Sequence, residues 1–215
     1  MNTPSNRIGW RIGWIVSPVF FRDRAGFALA FALAMICAPF DIASAAEVSG
    51  VRVDLRARVA GVELALNGAG LRRLFLANVY VIGLYMPERT NSADTAIEAT
   101  GPKRIALTFL WDVTAQALVD ALYEGIRDSS TETEFTRLKT AAEALSAVML
   151  PLRTAKAGDV VALDYLPGAG SQVVMNGRAV GQPIPGHDLY RALLRIWLGE
   201  PPVDNNLKRL LLGRN

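Results

Sequence analysis

The chain has 215 residues, of which 51% are hydrophobic and 20% charged, a composition typical of a globular protein. Its 23 basic and 20 acidic residues nearly balance, and no basic stripe is interleaved with aromatic residues, so nucleic acid is not the expected partner. One cysteine and one histidine are too few for a disulfide or for a metal site built from these residues. We expect neither a metal nor a cofactor.

The first 45 residues have the pattern of a secretory signal. Residues 25–40 carry no charge and follow four arginines, and Ala43, Ser44 and Ala45 form a small-residue cleavage site. We predict a signal peptide over residues 1–45, a mature domain over residues 46–215 without a membrane span, and a periplasmic or secreted location. The long basic stretch leaves an alternative, in which the start codon lies further downstream or the segment is retained as an anchor.

The mature chain begins with segments typical of strands. Alternation of apolar and polar residues over residues 51–66 predicts a hairpin with its turn at Ala60 and Gly61. Residues 67–70 (Asn-Gly-Ala-Gly) predict a further turn, and β-branched and aromatic residues predict one long strand over residues 72–86. A short helix over residues 90–98 and a strand over residues 103–111 complete the first half.

Helices dominate the second half. Amphipathic patterns predict one helix from a cap at Thr114 to about residue 128 and another over residues 132–148. A strand is predicted over residues 160–166, and a hairpin over residues 172–180, where Asn176 and Gly177 suit a type I′ turn. Two last helices are predicted over residues 187–198 and 203–212. Trp111 and Trp197 fit core positions.

The order of these elements indicates the fold class. Strands come early and late with helices between and after them, and most connections between strands are too short for parallel crossovers. The sequence therefore predicts an α+β fold, with an antiparallel sheet covered on one face by helices.

One segment carries a family resemblance. Residues 67–87 (NGAGLRRLFLANVYVIGLYMP) resemble the signature strand of the chalcone isomerase-like family, a glycine-bearing turn and an arginine before a strand that ends in Gly-aliphatic-Tyr. Further blocks resemble the secreted bacterial branch of that family: Gly158-Asp159, residues 164–170, Asn176-Gly177 and residues 193–199. The resemblance covers residues 48–213 and implies an open-faced β-sandwich, a large antiparallel sheet with a layer of helices. The family contains isomerases, fatty-acid-binding proteins and non-catalytic members, so membership alone does not determine the activity.

The resemblance also implies where a ligand cleft would lie. Arg72 matches the family arginine, with Arg73 as the alternative, and Tyr80 stands where the plant isomerases carry a strand threonine. The position at which the family isomerases carry a catalytic tyrosine falls near Gln116 or Ala117, and neither of these is a tyrosine.

The family asparagine position falls near Tyr123 or Glu124, so the isomerase set is incomplete. Strand parity independently places Arg72, Asn78 and Tyr80 on one face. A guanidinium beside a phenol can clamp a carboxylate or phenolate. The alternative is that Arg72 is a solvated charge and that Tyr80 is a core residue whose hydroxyl is satisfied.

Two functions from different classes follow. In the first, Arg72, Asn78, Tyr80 and Tyr123 bind a small apolar ligand with an acidic head, a fatty acid or a polyphenol, without turnover. In the second, the protein is an isomerase or intramolecular lyase, in which Arg72 stabilises a phenolate or enolate and Tyr80 donates a proton or positions water. The missing helical side chains favour the first. The sequence gives no oligomeric state.

Overall fold

A computed structural model describes residues 45–214, so nearly all of the predicted signal peptide lies outside the described residues. The strands are β1 (Ala45–Val48), β2 (Val51–Asp54), β3 (Arg56–Val59), β4 (Val62–Leu74), β5 (Ala77–Met86), β6 (Lys103–Phe109), β7 (Val113–Thr114), β8 (Thr154–Ala155), β9 (Val160–Leu166), β10 (Gly170–Met175) and β11 (Arg178–Ile184). The helices are α1 (Ala93–Glu98), α2 (Ala115–Asp128), α3 (Glu132–Met149), α4 (Asp188–Leu198) and α5 (Asn205–Leu211), with a 3₁₀ turn at Leu150–Leu152.

The strands form one large sheet and two small ones. Seven strands pair in the order β11-β10-β9-β6-β5-β4-β3, and every neighbouring pair is antiparallel. Strands β1 and β2 pair separately, as do β7 and β8. The predicted α+β fold with a large antiparallel sheet is confirmed.

The two faces of the sheet carry separate hydrophobic cores. Because side chains alternate along a strand, Ile82 and Leu84 of β5 pack in the core that includes all five helices, whereas Val81 and Tyr85 pack in a smaller core on the other face. The β1–β2 hairpin adds Val53 to that smaller core, and the Tyr85 hydroxyl donates a hydrogen bond to the Asp54 carbonyl at 3.0 Å. The open face is therefore partly covered by the first hairpin.

The segment before Pro87 differs from its prediction. Residues 67–70 lie inside β4 rather than in a turn, and the predicted strand over residues 72–86 is broken by a two-residue turn at Phe75 and Leu76. The glycines serve close packing: a Cβ at Gly68 would collide with the carbonyl oxygen of Leu210, so their small size lets α5 lie directly on β4.

Residues 51–59, predicted as one arm of a hairpin, form two strands, of which only β3 pairs with β4, whereas β2 pairs with β1. Most other predicted elements agree with the structure to within a few residues. Asn176 and Gly177 have φ angles of 48° and 78°, which confirms the type I′ turn. Trp197 is buried as predicted, but the prediction for Trp111 is wrong, because β6 ends at Phe109 and leaves the Trp111 side chain 58% exposed.

Candidate functional site

Arg72 and Tyr80 lie directly opposite each other on β4 and β5. Tyr80 packs on the helix-side core, where its ring meets Phe109 edge-on with ring centres 6.1 Å apart. The two residues belong to neighbouring strands of a hairpin, and not to one strand as the sequence pattern suggested. Their predicted common face follows from this cross-strand pairing.

The Tyr80 hydroxyl is held by a hydrogen bond from the helix layer. The indole Nε1 of Trp197 in α4 donates to this oxygen at 2.9 Å. Burial raises the pKa of Tyr80, while the bond from Trp197 and the nearby positive charge and hydrogen bond of Arg72 act in the opposite direction. Tyr80 therefore stays protonated at neutral pH and keeps its own proton available for donation.

The Arg72 guanidinium faces a carboxylate of the same chain. Its Nη1 lies 3.5 Å from Oδ2 of Asp204 and donates a hydrogen bond to the Arg73 carbonyl at 2.7 Å. Asp204 is the N-cap of α5, where its Oδ1 accepts from the backbone N–H of Leu207 at 3.0 Å. The close contact of α5 with β4 thus places a carboxylate where an acidic ligand was predicted.

The contact between Arg72 and Asp204 differs from a second arginine–carboxylate pair in the sheet. On the sheet, Arg104 donates to both oxygens of Asp164 at 2.6 and 2.7 Å. The side chains of Arg72 and Arg104 are each 21% exposed, but Asp204 is 25% exposed and Asp164 only 6%. Because the Arg72–Asp204 contact is longer, single and more exposed on the carboxylate side, it is weaker than the contact between Arg104 and Asp164.

The other two predicted ligand-binding residues have different surroundings. Asn78 is exposed near the start of β5, beyond the irregularity in register at Arg72 and Arg73, and its carbonyl accepts a hydrogen bond from the Trp111 indole. Tyr123 packs edge-on against Phe135 at 5.1 Å between α2 and α3, where it lines a narrow cavity of about 10 Å³.

Apart from Tyr123, the positions on α2 that were considered for the isomerase residues are exposed. Gln116, Ala117 and Glu124 are all exposed on α2, and the Gln116 amide donates to the carboxylate of Asp120 at 2.8 Å. Contacts to Arg72 and Tyr80 come instead from Asp204 and Trp197, which the sequence analysis did not assign to the site. The sequence held one signal for Asp204: aspartate is a preferred N-cap, and Asp204 lies at the start of the last predicted helix.

No helix among residues 45–214 is long and apolar enough to cross a membrane.

Comparisons with known proteins agree with this fold. The chalcone isomerase-like family profile matches residues 45–213. The crystal structure of a fatty-acid-binding protein from Arabidopsis thaliana superposes with a TM-score of 0.65 at 18% identity, covering 79% of this chain and 96% of that chain. Comparison with curated proteins finds no sequence match. The family and fold predicted from sequence are confirmed: the chain belongs to the chalcone isomerase-like family.

Proposed function

We propose that this protein binds a small apolar ligand with an acidic head, a fatty acid or a polyphenol, and does not convert it. Arg72 and Tyr80 hold the head group on the helix side of the sheet. The observation that carries the proposal is the pairing of Arg72, whose contact with Asp204 is 3.5 Å long, with a protonated phenol on the adjacent strand.

The two side chains offer complementary contacts to an acidic head. Arg72 provides a permanent charge and a planar fork of donors. Tyr80 provides one hydroxyl donor that Trp197 orients. A ligand carboxylate would replace Asp204 as the partner of Arg72, so the charge on the guanidinium remains compensated in both the free and the bound protein.

Absence of turnover is supported by the residues on α2. Gln116 and Ala117 stand where the isomerases of the family carry a tyrosine, and both are exposed. The raised pKa of Tyr80 keeps its hydroxyl protonated and makes it a weaker acid, which does not favour proton transfer to a substrate.

The apolar body of the ligand requires room that the closed helix layer does not provide beside Tyr80, since Phe109 and Trp197 are almost fully buried there. Packing is less complete in the α2–α3 seam, where Tyr123 lines a cavity only about large enough for one water. Binding of an acyl chain or an aromatic ring would therefore require helices of this layer to separate. The fatty-acid-binding protein of similar fold supports this class of ligand.

We also propose that the protein acts in the periplasm or outside the cell. This rests on the charge-free segment at residues 25–40 and the small residues that follow it.

The test uses the protein in the form in which cells accumulate it. Solvent extraction and mass spectrometry identify any co-purified ligand, and calorimetric titration with palmitate and with naringenin chalcone measures binding. We expect an extracted acid and saturable binding of at least one probe, with no increase in the rate of chalcone cyclisation. A rate increase that disappears in Arg72→Ala would replace this proposal with the isomerase alternative. No extract and no binding of either probe would reject both.

A further inference from the structure

The tip of the β4–β5 hairpin is an exposed apolar surface. Leu74, Phe75 and Leu76 are 53%, 95% and 101% exposed, and the 58% exposed Trp111 lies beside them, since its indole donates to the Asn78 carbonyl. We call these four residues the apolar tip. The other large exposed hydrophobic side chains of residues 45–214 are scattered and only 39–41% exposed.

The backbone of this turn does not explain its residues. Three other two-residue turns carry glycine at their second position: Ser49-Gly50, Ala60-Gly61 and Asn176-Gly177. Here the turn residues are Phe75 and Leu76, and Phe75 adopts a φ of 53°, which a bulky side chain rarely does. Asparagine or glycine would suit this backbone better, so the aromatic residue contributes through its exposed side chain.

The hairpin that carries the apolar tip has positive charge, and the acidic neighbour of Trp111, Asp112, is paired with Lys156 at 2.7 Å. From residue 64 to residue 87 the chain contains Arg72 and Arg73 and no acidic residue. Arg72 is paired with Asp204, whereas the exposed Arg73 makes no ion pair within residues 45–214. Arg73 directly precedes the apolar tip.

We propose that the apolar tip inserts into the surface of a lipid bilayer that contains anionic lipids. A narrow convex turn with fully exposed side chains enters a fluid acyl layer without a matching pocket. Arg73 then lies at the level of the anionic head groups, and the Trp111 ring suits the boundary between the apolar and polar layers. This membrane interaction is additional to ligand binding. It would bring Arg72, which lies two residues before Leu74 in the sequence, close to the membrane surface.

The experiment follows Trp111 on vesicles. The protein, in the form in which cells accumulate it, is mixed with phosphatidylglycerol–phosphatidylcholine vesicles whose acyl chains carry bromine, a contact quencher of indole fluorescence. Subtraction of the Trp111→Phe variant removes the emission of the other tryptophans. We expect the Trp111 emission to be quenched and to shift to shorter wavelength. This readout is local, so any attachment through residues 1–45 does not produce it.

Variants separate the apolar tip from the rest of the molecule. Phe75→Asn combined with Leu76→Ser should abolish the quenching without lowering the melting temperature, because asparagine tolerates positive φ. Val62→Ser, which removes an exposed apolar side chain at the other end of β4, should leave it unchanged.

Unquenched Trp111 in the parent protein, or quenching that survives the double variant, would overturn the proposal. A dimer in solution that the double variant dissociates would also overturn it, and would assign the apolar tip to a second copy of the chain. Palmitate affinity in vesicle-free solution should be the same in the double variant. A failure of membrane insertion is thus distinguishable from a failure of the proposed ligand site.

Discussion

Arg72 is the residue on which the ligand-binding proposal depends most. Arg72→Ala should weaken binding of an acidic ligand about thirty- to a hundredfold, because a charge-assisted contact is lost. Arg72→Lys should restore part of the affinity, since an ammonium retains the charge but lacks the planar fork. Calorimetric titration of palmitate measures both effects.

Arg73→Ala is the matched control for this series. Arg73 is adjacent in sequence and exposed, so its removal should not change palmitate affinity in solution. If Arg73→Ala carries the loss instead, the head group lies on the other face of β4. If neither variant changes palmitate affinity, Arg72 serves only as the ion-pair partner of Asp204.

Asp204 should act as an internal competitor for the same guanidinium. Asp204→Asn preserves an N-cap for α5 and removes the negative charge. We expect palmitate to bind about two- to fivefold more tightly, in keeping with the modest strength of solvent-exposed ion pairs. Weaker binding in Asp204→Asn, at unchanged thermal stability, would show that the carboxylate positions Arg72 for the ligand instead.

Lys103 should make stability depend on pH. It is fully buried, and its Nζ donates to the carbonyls of Ala96, Ile97 and Ala99 at 2.6–3.2 Å. Burial lowers its pKa from 10.5 to about 8. Between these values the unfolded chain binds more protons than the folded one, so the free energy of unfolding rises with pH.

We expect a rise of about 1 kcal/mol between about pH 8 and pH 9.5 in urea denaturation. Higher pH reverses the trend, because burial raises the pKa of Tyr85 to about 12 and unfolded tyrosines ionise first. Lys103→Met should remove the rise. A flat profile in the parent protein would mean that the three carbonyls hold the ammonium fully charged.

At the scale of elements, the β10–β11 turn tests how much of the fold local conformation controls. Gly177→Val should destabilise the protein by about 1 kcal/mol or more, since φ is 78° and a β-branched residue resists it. No atom lies within 4 Å of the added Cβ, so the effect is conformational. Asn176→Ala should cost a similar amount, because the Asn176 side chain also bonds Val160 and Asp159.

Thermal denaturation measures these changes, with Gly101→Ala as the control. Gly101 has no positive φ, and its added Cβ would make only an ordinary contact with Pro87. An unchanged melting curve for Gly177→Val would contradict the assigned turn.

Elements with strong local signals could be predicted from sequence. Thr114 and Thr131 begin α2 and α3 as N-caps, and Asn176 and Gly177 form the predicted turn. The segment over residues 67–76 could not, because Gly68 serves the approach of a helix that is distant in sequence, and the turn at Phe75 lacks the usual turn residues.

At the scale of the whole molecule, the candidate site was predictable only on its strand side. Alternation along one assumed strand predicted a common face for Arg72 and Tyr80, but the hairpin that brings them opposite each other was not predicted, and their partners come from the last two helices. Trp197 is 117 residues from Tyr80 in the chain, and such contacts depend on how α4 and α5 pack on the sheet rather than on any local pattern. Resemblance to a family supplied the fold but not these contacts.

The N-terminal boundary of the mature chain decides which form of the molecule functions. Cleavage after Ala45 would leave Ala46, Glu47 and Val48 to pair with β2, so the first hairpin can still cover its core. We therefore expect N-terminal sequencing of protein from the periplasm to begin at Ala46, and Ala45→Leu to accumulate the uncut chain, because signal cleavage requires a small residue before the cut. If the parent protein retained Met1, cleavage would be rejected. If the parent protein were recovered from the cytoplasm, export would be rejected.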